Sequence, residues 1–85
     1  MRRYTYAVAE PVVRLLSALP WRDRDLLLKA FSALPDNPFQ RADHFVRISG
    51  ERDVQVKRFG IWLVSFWVDH GNCEVRILTA EFLGR

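Results

Sequence analysis

Two histidines, His44 and His70, are the side chains of this sequence best suited to proton transfer near neutral pH. His70 lies in the segment Asp69-His70-Gly71-Asn72, whose residue types are typical of a tight turn. His44 follows Asp43 in a segment of mixed polarity. Either imidazole could act as a general acid or base. Because polar residues in turns and loops usually belong to the solvated surface, we favour that interpretation for both.

Other familiar catalytic and metal-binding patterns are absent from the sequence. Cys73 is the single cysteine, so it cannot form an internal disulfide, and with two histidines it gives no metal-ligand spacing. No glycine-rich phosphate loop and no Ser-His-Asp spacing is present. We therefore predict no metal and no cofactor, and we interpret Cys73 as a buried free thiol.

The stretch from Asp53 to Phe82 predicts an antiparallel meander of three strands. Val54 and Val56 alternate with Gln55 and Lys57, which predicts that both valines face the helix-covered core and that Gln55 and Lys57 face away from it. Residues 61–68 are almost entirely apolar and predict the central strand. After the turn at 69–72, residues 73–78 predict the returning strand.

The first half of the chain predicts a strand and two helices that would cover this sheet. Residues 3–8 have strand propensity and would lie at or near the sheet edge. Glu10 and Pro11 favour a helix start, and Pro20 separates this helix from a second one. The apolar stripes of the two helices are Val12, Leu15, Leu16 and Leu19, then Leu27, Ala30, Phe31 and Leu34.

The predicted order of elements is β-α-α-β-β-β, an α+β fold with a helical hairpin packed on one face of the sheet. A loop over 39–44 would lead from the helices to the sheet, and a short extra strand near 45–49, followed by a turn at 50–52, is compatible with the pattern. The central strand is apolar on both faces. Helices on one face alone would leave an apolar patch in water, and such patches usually mark a partner site. The alternative is that the loop around 39–48 or the C-terminal residues cover the second face.

Composition indicates a globular protein of one domain over residues 1–85. Apolar residues are 49% of the chain and charged residues 27%, and the net charge is +3. This mild positive charge is compatible with nucleic acid but does not require it. Because the sequence has neither an apolar run of membrane-spanning length nor the apolar segment of a signal peptide, we expect a cytoplasmic protein.

The chain resembles the RelE/ParE superfamily of bacterial type II toxin–antitoxin systems in several features taken together. These are the element order, the Leu-x-x-x-Pro element from Leu34 to Pro38, the segment 46–50, and the meander over 53–57, 62–68 and 75–78. The resemblance implies a plasmid-stabilisation type of toxin that inhibits growth by binding a macromolecular target and is neutralised by an antitoxin. RelE-like members cleave messenger RNA on the ribosome with a basic cluster. ParE-like members inhibit DNA gyrase.

Carried onto this sequence, the resemblance assigns the catalytic positions to Lys57, Arg58 and Arg76, and it adds Arg85 to these three as RNA or phosphate contacts. Trp62 and Glu81 stand where the family has basic residues. We therefore expect target binding without catalysis. A messenger RNA endonuclease with a non-standard basic set is one alternative, and a merely solvated basic face is another.

The resemblance also implies that an antitoxin segment lies across the sheet. The apolar face assigned to this partner consists of Trp62, Val64, Phe66 and Val68. The same face could instead support a homodimer or a non-toxic interaction module. The implied partners are thus an antitoxin and either the ribosome with messenger RNA or DNA gyrase, with no membrane.

Overall fold

The computed structural model describes residues 3–38, 44–48 and 52–84, and the predicted α+β architecture is confirmed. The elements are β1 (Thr5–Val8), α1 (Glu10–Ala18), α2 (Trp21–Ala33), a 3₁₀ turn (Leu34–Asp36), β2 (His44–Ile48), β3 (Arg52–Phe59), β4 (Trp62–Asp69) and β5 (Glu74–Phe82). None of the described helices has the length and apolar character needed to cross a membrane. Most of the predicted crossing loop and of the turn at 50–52 lies outside the described residues.

The strands form one sheet in the order β1-β5-β4-β3-β2. Strands β2 to β5 are an antiparallel meander, and β1 joins its far edge parallel to β5, with Thr5 opposite Glu74. The edge position predicted for β1 is therefore confirmed. The extra strand after the helices is also present, and His44 is its first residue, so the prediction that His44 lies on the crossing loop is wrong.

Local sequence explains where the helices begin and end. Pro11 lies in the first turn of α1, where a backbone N–H would have had no helical partner, and Glu10 forms an ion pair with Arg14 one turn later. Pro20 precedes α2, whose Asp25 pairs with Lys29 at 3.0 Å. The two helices therefore follow each other almost without a linker.

The helices pack on one face of the sheet, against β1, β4 and β5. Leu27 and Phe31 of α2 are fully buried, as are Val64 of β4 and Ile77 of β5. The apolar stripes predicted for α1 and α2 face this core. The buried cluster consists of Val12, Leu27, Phe31, Leu34, Trp62, Val64, Phe66, Val75 and Ile77.

This packing corrects the predicted partner surface. Trp62, Val64 and Phe66 are at most 3% exposed, and Val68 packs against the same cluster. These side chains belong to the core because they point toward the helices. The exposed part of the sheet must therefore be sought on its other side.

The two valines of β3 lie on that other side of the sheet. Val56 is opposite Ser65, whereas its neighbour Lys57 is opposite Val64, and directly opposed residues in an antiparallel pair share a face. Val54 and Val56 are buried as predicted, but they are not part of the cluster under the helices. The assignment of Lys57 to the face away from the helices is consequently wrong.

The turn between β4 and β5 forms where it was predicted, after Asp69. The positive φ angle falls on Cys73, at 51°, which is the last residue before β5. Its side chain is buried and is a free thiol, as expected. A register shift between Ser65 and Phe66 gives β5 a bulge, because Ser65 is opposite Thr79 and Phe66 is opposite Ile77.

Replacing Phe66 with alanine should reduce the free energy of unfolding by about 3–5 kcal/mol, because the substitution leaves a cavity in the core. Urea unfolding followed by circular dichroism would measure the change. Leu28→Ala is the matched control. Leu28 is 38% exposed on α2, so its truncation should cost about 0.5 kcal/mol or less. Equal losses for the two variants would contradict the packing described above.

Candidate functional site: the open face of the sheet

The face of the sheet turned away from the helices, here called the open face, carries a mixture of apolar and charged side chains. Because successive side chains of a strand point to opposite faces of a sheet, the alternation along β3, β4 and β5 shows which residues lie on this face. Leu63, Ser65 and Trp67 of β4 are half-buried, whereas Arg58, Arg76 and Glu81 are exposed. The open face consists of Val54, Val56, Arg58, Leu63, Ser65, Trp67, Asp69, Glu74, Arg76, Thr79 and Glu81.

Arg76 is held in place at one end of the open face. It lies opposite Trp67, with its guanidinium carbon 5.5 Å from the centre of the indole ring. Its Nε donates to Glu74 Oε1 at 2.9 Å, and one Nη lies 3.9 Å from Asp69 Oδ2. The cation is therefore stacked on an aromatic ring and compensated by two carboxylates.

Asp69 organises the turn beside Arg76. Its Oδ1 accepts from the Asn72 backbone N–H at 3.1 Å, and its Oδ2 accepts from the Asn72 side-chain amide at 2.8 Å. These hydrogen bonds from Asn72, followed by the charge of Arg76, lower the pKa of the Asp69 carboxyl below its ordinary value. The carboxylate is thus an acceptor already engaged by the fold.

His70 is joined to the beginning of the chain. The hydroxyl of Tyr4 lies 2.7 Å from His70 Nδ1, and the two rings meet edge to face with their centroids 5.7 Å apart. Tyr4 was not identified from the sequence, because the partners are 66 positions apart and no local spacing relates them. His70 is exposed in the turn, which agrees with the surface interpretation.

The three cations assigned to catalysis do not converge. Lys57 shares the helix-covered face with Phe59, whose ring centre is 5.7 Å from Lys57 Nζ. Arg58 is opposite Leu63, and Arg76 is opposite Trp67. Leu63 and Trp67 are four residues apart on β4, so the two arginines are offset by about 13 Å along the strand. Arg85 lies outside the described residues.

This geometry limits the chemistry of the open face. Cleavage of RNA by its own 2′-hydroxyl needs a base, an acid and a cation around one phosphate. The side chains of Lys57, Arg58 and Arg76 do not surround a common point, and their assigned roles stay predictions. Among the described residues, no three acidic, histidine or cysteine side chains are placed to hold a metal ion.

An edge strand, a helical hairpin and an antiparallel meander with one open face define the class of fold found in RelE toxins. The toxin–antitoxin complex RelBE2 from Mycobacterium tuberculosis contains a chain that matches with a TM-score of 0.77 at 22% identity, covering 95% of this chain and 99% of that one. A chain of the archaeal RelE–RelB complex from Pyrococcus horikoshii OT3 matches with a TM-score of 0.74 at 23% identity, covering 100% of this chain and 99% of that one. The predicted RelE-like fold is confirmed. No family model matches the sequence, and no curated protein matches it significantly.

The lowered pKa of Asp69 predicts a pH-dependent contribution to stability. A depressed folded-state pKa stabilises the fold above the unfolded pKa of about 3.9, and that contribution is lost as the pH falls through the folded value. Asp69→Asn should therefore lower the free energy of unfolding at neutral pH and lose its effect in acid. Urea unfolding across this pH range would measure it. Asp36→Asn, at an exposed site, is the control, and a pH-independent difference at Asp69 would contradict the prediction.

Proposed function

We propose that this protein is the toxin of a type II toxin–antitoxin pair and that it inhibits growth by binding a macromolecular target. The observation that carries this proposal is the likeness of nearly the whole chain to chains from two complexes that are described as RelE–RelB or toxin–antitoxin assemblies. The likeness extends over 99% of each of those chains, so it includes the complete arrangement of helices and strands. Its cellular partner would be an antitoxin.

Within this proposal, binding without RNA cleavage is the mechanism that the side chains support best. Arg76 is already paired with Glu74 and stacked on Trp67, so using it on a phosphate would require breaking these contacts. Glu81 adds a negative charge opposite Leu63, on the side of β4 away from Arg58. A ribosomal site or DNA gyrase could each be the target, and the first experiment below separates them.

The open face supports the proposed regulation. Its half-buried strand residues, Leu63 and Trp67, are apolar surface that a partner could cover further, and Arg58 and Glu81 border this surface. An antitoxin segment lying there would keep the toxin from its target. We place this pair in the bacterial cytoplasm as part of the same proposal, with plasmid stabilisation as one role for it.

Tightly induced expression in a bacterium should arrest growth within a few generations. Pulse labelling of protein and DNA synthesis would then identify the target. Prompt loss of protein synthesis indicates the ribosome, whereas filamentation with stalled DNA synthesis indicates gyrase. Normal growth with abundant, soluble and folded protein would contradict the proposal and leave a non-toxic interaction module.

Incubation of the purified protein with ribosomes and messenger RNA should leave the message intact, because the basic side chains do not converge. Cleavage within codons that is lost in Lys57→Ala and Arg76→Ala, but kept in Lys29→Ala, would contradict this expectation. Lys29 is the matched control because it is an exposed lysine on α2, away from the sheet. Such a result would establish the endonuclease with a non-standard basic set.

A further inference from the structure

The first strand, β1, is anchored to the core at its end. Tyr6 and Val8 pack against the buried cluster. Just after them, the Ala9 backbone N–H donates to Ile77 O at 2.9 Å, and α1 follows directly. The beginning of β1 differs, because the side chain of Thr5 is exposed. Burial of apolar surface therefore holds the end of the strand more firmly than its beginning.

The beginning of β1 is attached instead to the turn between β4 and β5. The hydroxyl of Tyr4 lies 2.7 Å from His70 Nδ1, and the Thr5 backbone N–H donates to Cys73 O at 3.0 Å. These two hydrogen bonds are here called the latch. The bond between Tyr4 and His70 is exposed to solvent, so water can replace either partner when the bond breaks.

The turn that receives the latch has an unusual backbone conformation at Cys73. The φ angle of Cys73 is 51°, in the left-handed region that costs free energy for a residue with a β-carbon. Asn72 donates twice to Asp69, and Cys73 Sγ lies 3.8 Å from His70 O. A conformation of this kind persists only where surrounding contacts hold it, and the bond from Thr5 is one of them. The latch and the conformation of Cys73 are therefore coupled.

We propose that Tyr4 and Thr5 form a strap that opens away from the turn while the rest of the sheet stays folded. Tyr6 is the pivot, since its ring stays on the core. Opening separates Tyr4 from His70 and Thr5 from Cys73, and it uncovers the Cys73 thiol, which is 8% exposed in the closed fold. The strap opens far more often than the core unfolds, because opening it gives up little apolar burial.

Labelling of the Cys73 thiol with iodoacetamide, followed by mass spectrometry, measures the opening, because Cys73 is the single cysteine of the chain. Where the strap recloses faster than the reagent reacts, the labelling rate is proportional to the fraction of open molecules. This rate should change little at low urea concentrations, because a small opening exposes little surface. A rate that follows the full urea dependence of global unfolding from the lowest concentration would overturn the proposal.

Removal of the Tyr4 hydroxyl should loosen the latch. Tyr4→Phe should raise the labelling rate of Cys73 about two- to tenfold, the factor expected from one lost hydrogen bond. Tyr6→Phe is the matched control and should leave the rate unchanged, because it makes the same change on the same strand at a ring that contacts Phe31. In a His70→Ala protein, Tyr4→Phe should add no further increase, because the partner of the hydroxyl is gone. An unchanged rate in Tyr4→Phe, an equal rise in Tyr6→Phe, or the same rise with and without His70 would overturn the proposal.

Amide hydrogen exchange locates the opening within the fold. The Thr5 N–H should exchange faster than the Ala9 N–H, because the strap opens at its beginning. Tyr4→Phe should accelerate exchange at Thr5 and leave the Val64 amide in β4 unchanged. Equal acceleration at Thr5 and Val64 would mean that the substitution destabilises the whole fold, and it would overturn the proposal. Opening of the strap does not depend on whether induced expression arrests growth, so the two experiments succeed or fail separately.

Discussion

Packing of the helical hairpin against one face of β4 and β5 determines the position of almost everything else in this protein. Phe31 and Leu27 of α2 meet Val64 and Phe66 of β4 in a core that excludes water. Because the side chains of a strand alternate between its two faces, this contact decides which residues of every other strand are covered. Among the described residues, the helices lie on one side of the sheet alone, and on the other side Arg58, Arg76 and Glu81 are exposed while Val54 and Val56 are buried.

The charged side chains at the two ends of the sheet are arranged differently. On the open face, Arg76 and its neighbours are arranged in pairs and stacks, with Trp67, Glu74 and Asp69 around one guanidinium. At the other end of the same strands, Lys57 lies near the ring of Phe59 and Arg58 donates to the backbone carbonyl of Gly60. The cations at the two ends of the sheet thus have different neighbours.

The sequence predicted the elements and their order because the periodic signals are strong. The apolar stripe through Leu27 and Phe31 clearly predicts the helix α2, and the apolar run of residues 61–68 clearly predicts the strand β4. It was harder to predict which face of β4 the helices cover. A run apolar on both sides does not say which side the helices cover, so Trp62 and Phe66 were assigned to a partner and Lys57 to the open side.

Contacts between distant parts of the chain could not be predicted from the sequence. The bond between Tyr4 and His70 and the stacking of Arg76 on Trp67 depend on strand order and register. Neither leaves a local spacing in the sequence. Likewise, the exposed position of Phe82 follows from how far β5 extends, four residues beyond the predicted strand end at Leu78.

The parallel pairing of β1 with β5 has a consequence for synthesis. Thr5 is opposite Glu74, so the first strand to leave the ribosome has no partner until the last strand has been made. Pairing over so long a loop makes folding slower than pairing between neighbouring strands. The sheet therefore cannot be completed before β5 has been translated. A growing cell would have an interval, between translation and completion of the sheet, in which the finished fold does not yet exist.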